Sequence, residues 1–567
     1  MKLRNILLTT LAASSLMMGV TSCSDSFLDE KMYSSFGADN MSDTNAKVLG
    51  LYYKVGQILG YSARQGYTGI WQDGTDVGAP GDIEGVEEPF YNYTALNSEN
   101  GGVSYLWNQL YSIINSANII IADQNANAKY LAEARFFRAW SYEQLATGWG
   151  GVPVLTEAIA TPSTSFTRAS LDEVNKVINE DLNFAIANLP GVNDYSKAEQ
   201  SRINKDAARI LAATSYLRQG KAADAEKVIT PTITERNYTL INQRYGIHLA
   251  DDGDYYSDMF RFGNQRRNQG NTEGIWTYEM EYGSDVPGGT IDAPQQRRNW
   301  VAAFHKLSGQ MVNADSIGGR GNGRLRLSNY VKYGVYKEEG DIRNSNFNIR
   351  RKLFCNNAKL KTEPMTVSVD ANGFRVPDGT AGATTRTLNY GDPAVWTYGD
   401  TLNVMYPHTT KWGGYDPRDD FGWALVKDFP MMRFAEAYLL RAEAYIMQNK
   451  LNEAAADINE LRDRAFAAYR EQTGNVNAGK VEASQMTMDF LLDERIRELV
   501  GEENRRFTLM RTGKLAERVN MMVKQYPETT ESKSIRGFDA NKHCLLPIPL
   551  TEIQLNKDAE LTQNPGY

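Results

Sequence analysis

The sequence predicts a mostly α protein, a scaffold of paired helices interrupted by an irregular insertion of loops and short strands that bears the ligand surface. Three observations carry that prediction. Residues 208–229, ARILAATSYLRQGKAADAEKVI, align without gaps on 437–458, AYLLRAEAYIMQNKLNEAAADI, with Ala208/Ala437, Leu211/Leu440, Ala213/Ala442, Tyr216/Tyr445, Lys221/Lys450 and Ala225/Ala454 among the identities. A third copy of the first half, ARFFRAWSY at 134–142, keeps Ala134, Ala139 and Tyr142 at the same spacing. Between residues 236 and 425 the composition changes, for 23 of the 47 glycines and five of the nine tryptophans fall there. Small residues at fixed helical intervals let antiparallel helices approach closely, and a Tyr or Trp fills the gap beside them. This is the helix–turn–helix grammar of tetratricopeptide repeats.

In chain order, residues 1–22 read as a secretory signal. Lys2 and Arg4 give the positive start, and Ile6 to Val20 form an apolar stretch too short to span a membrane comfortably. The stretch ends in Val20-Thr21-Ser22-Cys23, which looks like a bacterial lipobox, with Cys23 as the acylated first residue of the mature chain. The acidic run Ser24–Glu30 follows, and no second long apolar segment does.

Residues 23–235 and 426–567 read as two helical regions. Helices are expected at 104–124, 129–147, 171–188, 203–219, 221–229, 431–448 and 451–468. Within the sixth, Ala435, Tyr438, Leu439, Ala442, Tyr445 and Ile446 form one apolar stripe. Between the two regions lies the insertion, 236–425, where turns such as Pro287-Gly288-Gly289 break short apolar runs. Loops held on a rigid frame are where binding residues usually sit.

The chemistry classes that composition excludes are several. A formal charge of −8 argues against a surface that grips nucleic acid. Four histidines form no HExxH motif, and the glycines at 318–323 lack the strand-before, helix-after context of a phosphate cradle. Asp251, Asp252 and Asp254 surround Gly253 without the glutamate that an EF-hand loop needs. No catalytic residue, metal ligand set or cofactor site is expected. Cys355 and Cys544 are read as structural, with their pairing left open. The Arg/Glu-rich stretch 493–511, with Glu494, Arg497, Glu498 and Arg505 at neighbouring-turn spacings, reads as one helix with a structural ion-pair network, and Arg138 and Arg441 at equivalent repeat positions read the same way.

Several spaced blocks resemble the SusD/RagB family, outer-membrane lipoproteins that bind glycans. They include Phe27-Leu28-Asp29 after the lipobox, WNQLYSIINSANIII at 107–121 and EARFFRAWSYEQLATGWGGVPVLTEA at 133–158. The order continues with DFPMMRFAEAYLLRAEAYIMQNKLNEAAADINELRDRA at 428–465, DERIRELVGEENRRFTLMRTGKL at 493–515 and LLPIPLTEIQLNKDAELTQNPGY at 545–567. The family more often carries an acidic residue and then Gly before the arginine pair, where this chain has Glu503-Asn504. The resemblance implies four tetratricopeptide pairs, a variable glycan-facing surface, surface exposure on the outer membrane and docking over a SusC-like, TonB-dependent transporter.

Under that reading the tryptophans divide. Trp107, Trp140 and Trp149 lie in or at the ends of repeat helices and read as core, as does Trp276 in a strand-like alternation. Trp412, in TKWGGYD, is read as structural or ligand-facing. Trp71 stands in GYTGIWQDGTDVGAPGD and Trp300 follows QQRRN, both outside helical periodicity. The apolar face of a pyranose stacks on such a ring while polar side chains bind its hydroxyls. The expected glycan-binding residues are therefore Trp71 and Asp73, with Gln72 and Asp76 nearby, and Trp300, Arg298 and Asn299. The leading function is non-catalytic capture of an oligosaccharide or polysaccharide for a transporter. A peptide-binding repeat scaffold and a surface glycoside hydrolase are the alternatives.

Overall fold

A computed structural model describes residues 43–59, 68–81, 88–282, 295–314, 318–402, 404–414, 425–528 and 533–567; the signal segment and Cys23 lie outside the described residues. The helices that frame the molecule are α1 (Thr44–Leu59), α2 (Thr68–Gln72), α3 (Gly101–Ile121), α4 (Ala128–Trp149), α5 (Leu171–Asn188), α6 (Lys205–Arg218), α7 (Ala222–Thr234), α8 (Gln296–Trp300), α9 (Phe434–Met447), α10 (Leu451–Thr473), α11 (Met488–Leu499), α12 (Arg505–Arg511) and α13 (Leu515–Gln525). Their starts are written in the sequence. Asn100, Asn127 and Asn204 accept hydrogen bonds from the first turns of α3, α4 and α6, and Ser170 with Glu173 closes a capping box on α5.

Consecutive helices α3 to α7 pack against one another, and α7 then packs on α9, which pairs with α10. The helical stack is thus continuous although about two hundred residues of chain leave it after α7 and return before α9. The two aligned repeats, α6–α7 and α9–α10, turn identically. Gly220 (φ 73°) and Asn449 (φ 57°) occupy the left-handed region, and the next amides, Lys221 and Lys450, each donate to a carbonyl five residues back, Tyr216 and Tyr445, at 2.8 Å. Glycine and asparagine are the residues that tolerate this backbone, which is why the turn survives a Gly-to-Asn change between copies.

The equivalence extends to charge. Arg138 on α4 grips Asp181 on α5 through two bonds of 2.7 and 2.8 Å, and Arg441 on α9 grips Asp457 on α10 through bonds of 2.8 and 2.6 Å. In both repeats, the same position ties a helix to its successor.

The intervening chain forms small antiparallel pieces. Strands β1 (Gly78–Pro80), β2 (Gly274–Tyr278), β3 (Leu325–Leu327), β4 (Ile349–Arg350), β5 (Met365–Val369), β6 (Arg375–Val376), β7 (Thr384–Leu388), β8 (His408–Thr409) and β9 (Phe429–Arg433) pair as β1–β3, β2–β9, β4–β8 and β6–β5–β7. The β2–β9 pair matters most, since Gly274 opposite Arg433 and Tyr278 opposite Phe429 bring the exit and return of the inserted chain together. Trp276 on β2 is fully buried, edge-on to Phe136 and Phe137 of α4.

Two expected elements differ. The helix expected from 431 begins at Phe434, because 429–433 pairs with β2 as a strand. The single helix expected across 493–511 is two, α11 and α12. Gly501 at φ 82° ends the first, and Asn504 accepts from Phe507 N at 3.1 Å to cap the second.

A buried ionic network locks these parts together. Glu498 on α11 receives Arg464 of α10 at 2.6 Å, and Arg433 of β9 and Arg343 of the insertion at 3.2 Å each. Glu494, one turn earlier, receives Arg343, Arg462 and Arg497 within 2.7–2.9 Å. Glu273, beside β2, completes it with Arg433 at 2.9 Å and Arg464 at 2.7 Å. Burial pushes the Glu498 carboxyl up, but the guanidiniums of Arg464, Arg433 and Arg343 prevail and hold it well below the usual carboxylate range.

Candidate functional site

The inner faces of α4, α6 and α9 look onto α2, α8 and the turn after α11, and between them lies a cavity of about 180 Å³. Among the described residues four tryptophans line it: Trp71 from α2, Trp140 from α4, Trp300 from α8 and Trp412 from the loop before β9. Helical spacing aims the neighbours. Trp140, Gln144 and Thr147 fall on one face of α4, and Gln296 and Trp300, four apart, share one face of the short α8. Trp412 is fixed by an Nε1–H bond of 2.7 Å to Gly501 O and by Phe429, whose ring centre is 4.7 Å away.

Polar groups on the walls are mostly tied down. Glu503 receives Arg495 at 2.8 and 2.9 Å and Arg505 at 3.0 Å. Burial raises its carboxyl, but the two arginines bring it down to about 2. Glu436 lies 3.4 Å from Arg495, and burial, only partly offset by that arginine, pushes its carboxyl up. Gln72 donates its amide N–H to Glu503 O. Among the described residues the amide oxygens of Gln72, Gln144 and Gln296, the Nη1 of Arg495 and the Nδ2 of Asn504 have no hydrogen-bond partner.

Of the residues chosen from sequence, the structure brings Trp71 and Trp300 to this cavity, with Gln72 beside them. Both tryptophans sit on five-residue helices rather than in loops. Trp71 is half-buried, whereas Trp300 is 1% exposed and belongs to the hydrophobic core. The expectation that a tryptophan at 300 lies outside the core is therefore corrected. Asp73, Arg298 and Asn299 are not on the cavity walls. Arg298 and Asn299 are buried on other faces of α8, and Arg298 is drawn down to about 10 by burial and by Arg324, Arg320 and Arg297. Asp76 is spent on Arg505, which holds both its oxygens at 2.7–2.8 Å. Cys23 lies outside the described residues.

Sequence reasoning missed Gln144, Gln296, Glu436, Arg495 and Asn504 as wall residues. The available signal was Gln144, a polar residue one turn after Trp140 on the same helix face. Asp251 is used by His248 at 2.6 Å, and Asp254 caps a turn and accepts from Ser345 at 2.6 Å. Among the described residues no cluster of three potential metal ligands occurs, Cys355 and Cys544 are both free thiols, and no helix is long and apolar enough to cross a membrane.

The fold and site define a helical-repeat protein with an aromatic, amide-lined cavity between scaffold and insertion. Two family profiles match the chain, one described as the SusD family over residues 371–567 and one described as "Starch-binding associating with outer membrane" over 26–217. The chain belongs to the SusD family. It is 26% identical to SusD-like protein P25 of Formosa agariphila across all of both chains, and 34% identical to the starch-binding protein SusD of Bacteroides thetaiotaomicron over 25% of this chain and 22% of that one. A solved laminarin-binding SusD-like protein shares the fold with a TM-score of 0.63 and 21% identity, over 93% of this chain and 99% of its own.

Asp73 yields a pH prediction. Its side chain is fully buried, and burial outweighs the pull of Arg506 to leave the carboxyl well above its ordinary 3.8. Between the ordinary value and that raised one, the unfolded chain ionises while the folded group stays protonated, so stability is lost as pH rises. Asp73→Asn, neutral throughout, is expected to be more stable than the native chain at pH 7, with the difference closing as pH falls towards 4. Denaturant unfolding at the two pH values checks it, and a less stable variant at pH 7 contradicts it.

Proposed function

We propose that the protein is a non-catalytic glycan-binding lipoprotein of the outer membrane, anchored through Cys23, that captures oligosaccharides and passes them to a SusC-like, TonB-dependent transporter. Membership of the SusD family supports the class. The observation that carries the binding reading is that Trp71 and Trp300, remote in sequence, face one cavity with Trp140, Trp412 and several amide side chains. Aromatic walls with a few convergent polar groups suit a sugar, whose C–H faces stack on rings while its hydroxyls bond to amides. Asp73, Arg298 and Asn299 are buried off these walls and on this reading do not touch the sugar. Delivery to a transporter and surface exposure rest on the family alone.

Trp71 gives the clearer test, because it is half-buried while Trp300 is core. Trp71→Ala is expected to weaken binding of a glycan selected on an array by roughly 1–3 kcal/mol, the scale of one aromatic face. Trp300→Ala should lower stability as well, by about 3–5 kcal/mol, as large-to-small core changes do. Calorimetric affinity and melting temperature, measured together, separate the two effects. Unchanged affinity in Trp71→Ala would rule out its ring as a platform. For the anchor, Cys23→Ala should move the protein from the membrane fraction to the soluble one, and continued membrane retention would contradict the lipobox reading.

A further inference from the structure

We infer that the cavity is built for an uncharged sugar and discriminates against uronic-acid and sulfated sugars. This rests on the glycan-binding reading and narrows it. The first argument is size. On this measure a water needs about 10–15 Å³, so a cavity of about 180 Å³ holds a molecule with several hydroxyl groups.

The second argument is charge. Among the described residues, the acidic and basic side chains on the walls are already paired: Glu143 with Arg218 at 2.7 Å, Glu502 with Arg433 at 2.6 Å, Glu503 with Arg495 at 2.8 Å and Arg511 with Glu443 at 2.5 Å. Arg495 also faces Glu436, so its remaining N–H comes from a guanidinium whose charge is spent. A carboxylate or sulfate entering here would lose its water without gaining a counter-charge, and would sit among Glu143, Glu436, Glu502 and Glu503.

The third argument is what the walls lack. Gln72 and Gln296 are 3% and 7% exposed, yet each carries an amide oxygen with no partner among the described residues, and so does Gln144. Buried polar groups are ordinarily bonded, and leaving one bare destabilises the fold. Three bare acceptors and two bare donors, Asn504 Nδ2 and Arg495 Nη1, lie just beneath the wall surface, and rotation of their side chains towards the cavity would present them to a sugar's hydroxyls. Beside the tryptophan rings, such a set suits a neutral polyol, whereas an anion could use only the two N–H donors and none of the three acceptors.

The test uses the full-length lipoprotein in mild detergent on an array that carries neutral, uronic-acid and sulfated oligosaccharides in equal number. Binding is expected only on neutral glycans, with signal unchanged when salt is raised. Gln296→Leu and Gln144→Leu, measured separately, are each expected to weaken the best neutral glycan about tenfold while the melting temperature holds or rises, since each removes a bare buried oxygen. A merely structural role would lower the melting temperature and leave affinity alone, which overturns the inference. Capture of uronic-acid or sulfated glycans that is lost in Trp71→Ala would overturn the selectivity while leaving glycan binding intact. Absence of binding to every glycan class would overturn the glycan reading itself, and the inference with it.

Discussion

Glu498 is the group on which the arrangement depends. It is wholly buried on α11 and is reached by arginines from β9, α10 and the insertion, three segments that share no sequence neighbourhood. Taking charges out of water is costly, and such networks add little net stability over a well-packed apolar core. Their effect is geometric. An unpaired buried charge is so unfavourable that Arg343, Arg433 and Arg464 have one low-energy place to go, and reaching it docks the insertion and β9 against the helical stack. The pairing also closes the neck where the inserted chain leaves and rejoins the scaffold, since Glu273 precedes β2 and Arg433 ends β9.

The cavity is a consequence of that docking. One wall belongs to α4, α6 and α9 and the other to α2, α8 and the turn after α11. Glu502 and Glu503 occupy that turn because Gly501 ends α11, and they bind Arg433, Lys411, Arg495 and Arg505. The chain that shapes the cavity rim is therefore continuous with the network that holds the fold. Gln72, Gln144 and Gln296 are set on helices of this frame rather than on loops.

Helices and repeats were legible because small residues recur every three or four positions, and a turn such as Gly-Lys or Asn-Lys admits few backbones. The break inside 493–511 was signalled by Gly501 and Asn504 but masked by an unbroken run of charged residues. The start of α9 was misjudged because Phe429 to Arg433 continues the apolar character of the helix, and only its partner strand, far away in sequence, makes it β. At the site, Trp71 and Trp300 could be picked out because they stood outside helical period. Their sequence neighbours could not be assigned, since a residue one or two positions along a helix points to a different face. Helices α2 and α8 are five residues long, too short to leave a periodic trace. Gln144 and Trp140 were hidden for a different reason, because their helix is buried on nearly every face and its small and aromatic residues read as core all round.

The most direct test of this account is the stability of Glu498→Gln, which keeps the shape of the side chain and removes its charge. Equilibrium unfolding in denaturant should show a loss of about 3–5 kcal/mol, the cost of stranding buried guanidiniums without their counter-charge. A change within about 0.5 kcal/mol, as for an ordinary surface substitution, would contradict the claim that this network sets how the insertion and the scaffold meet.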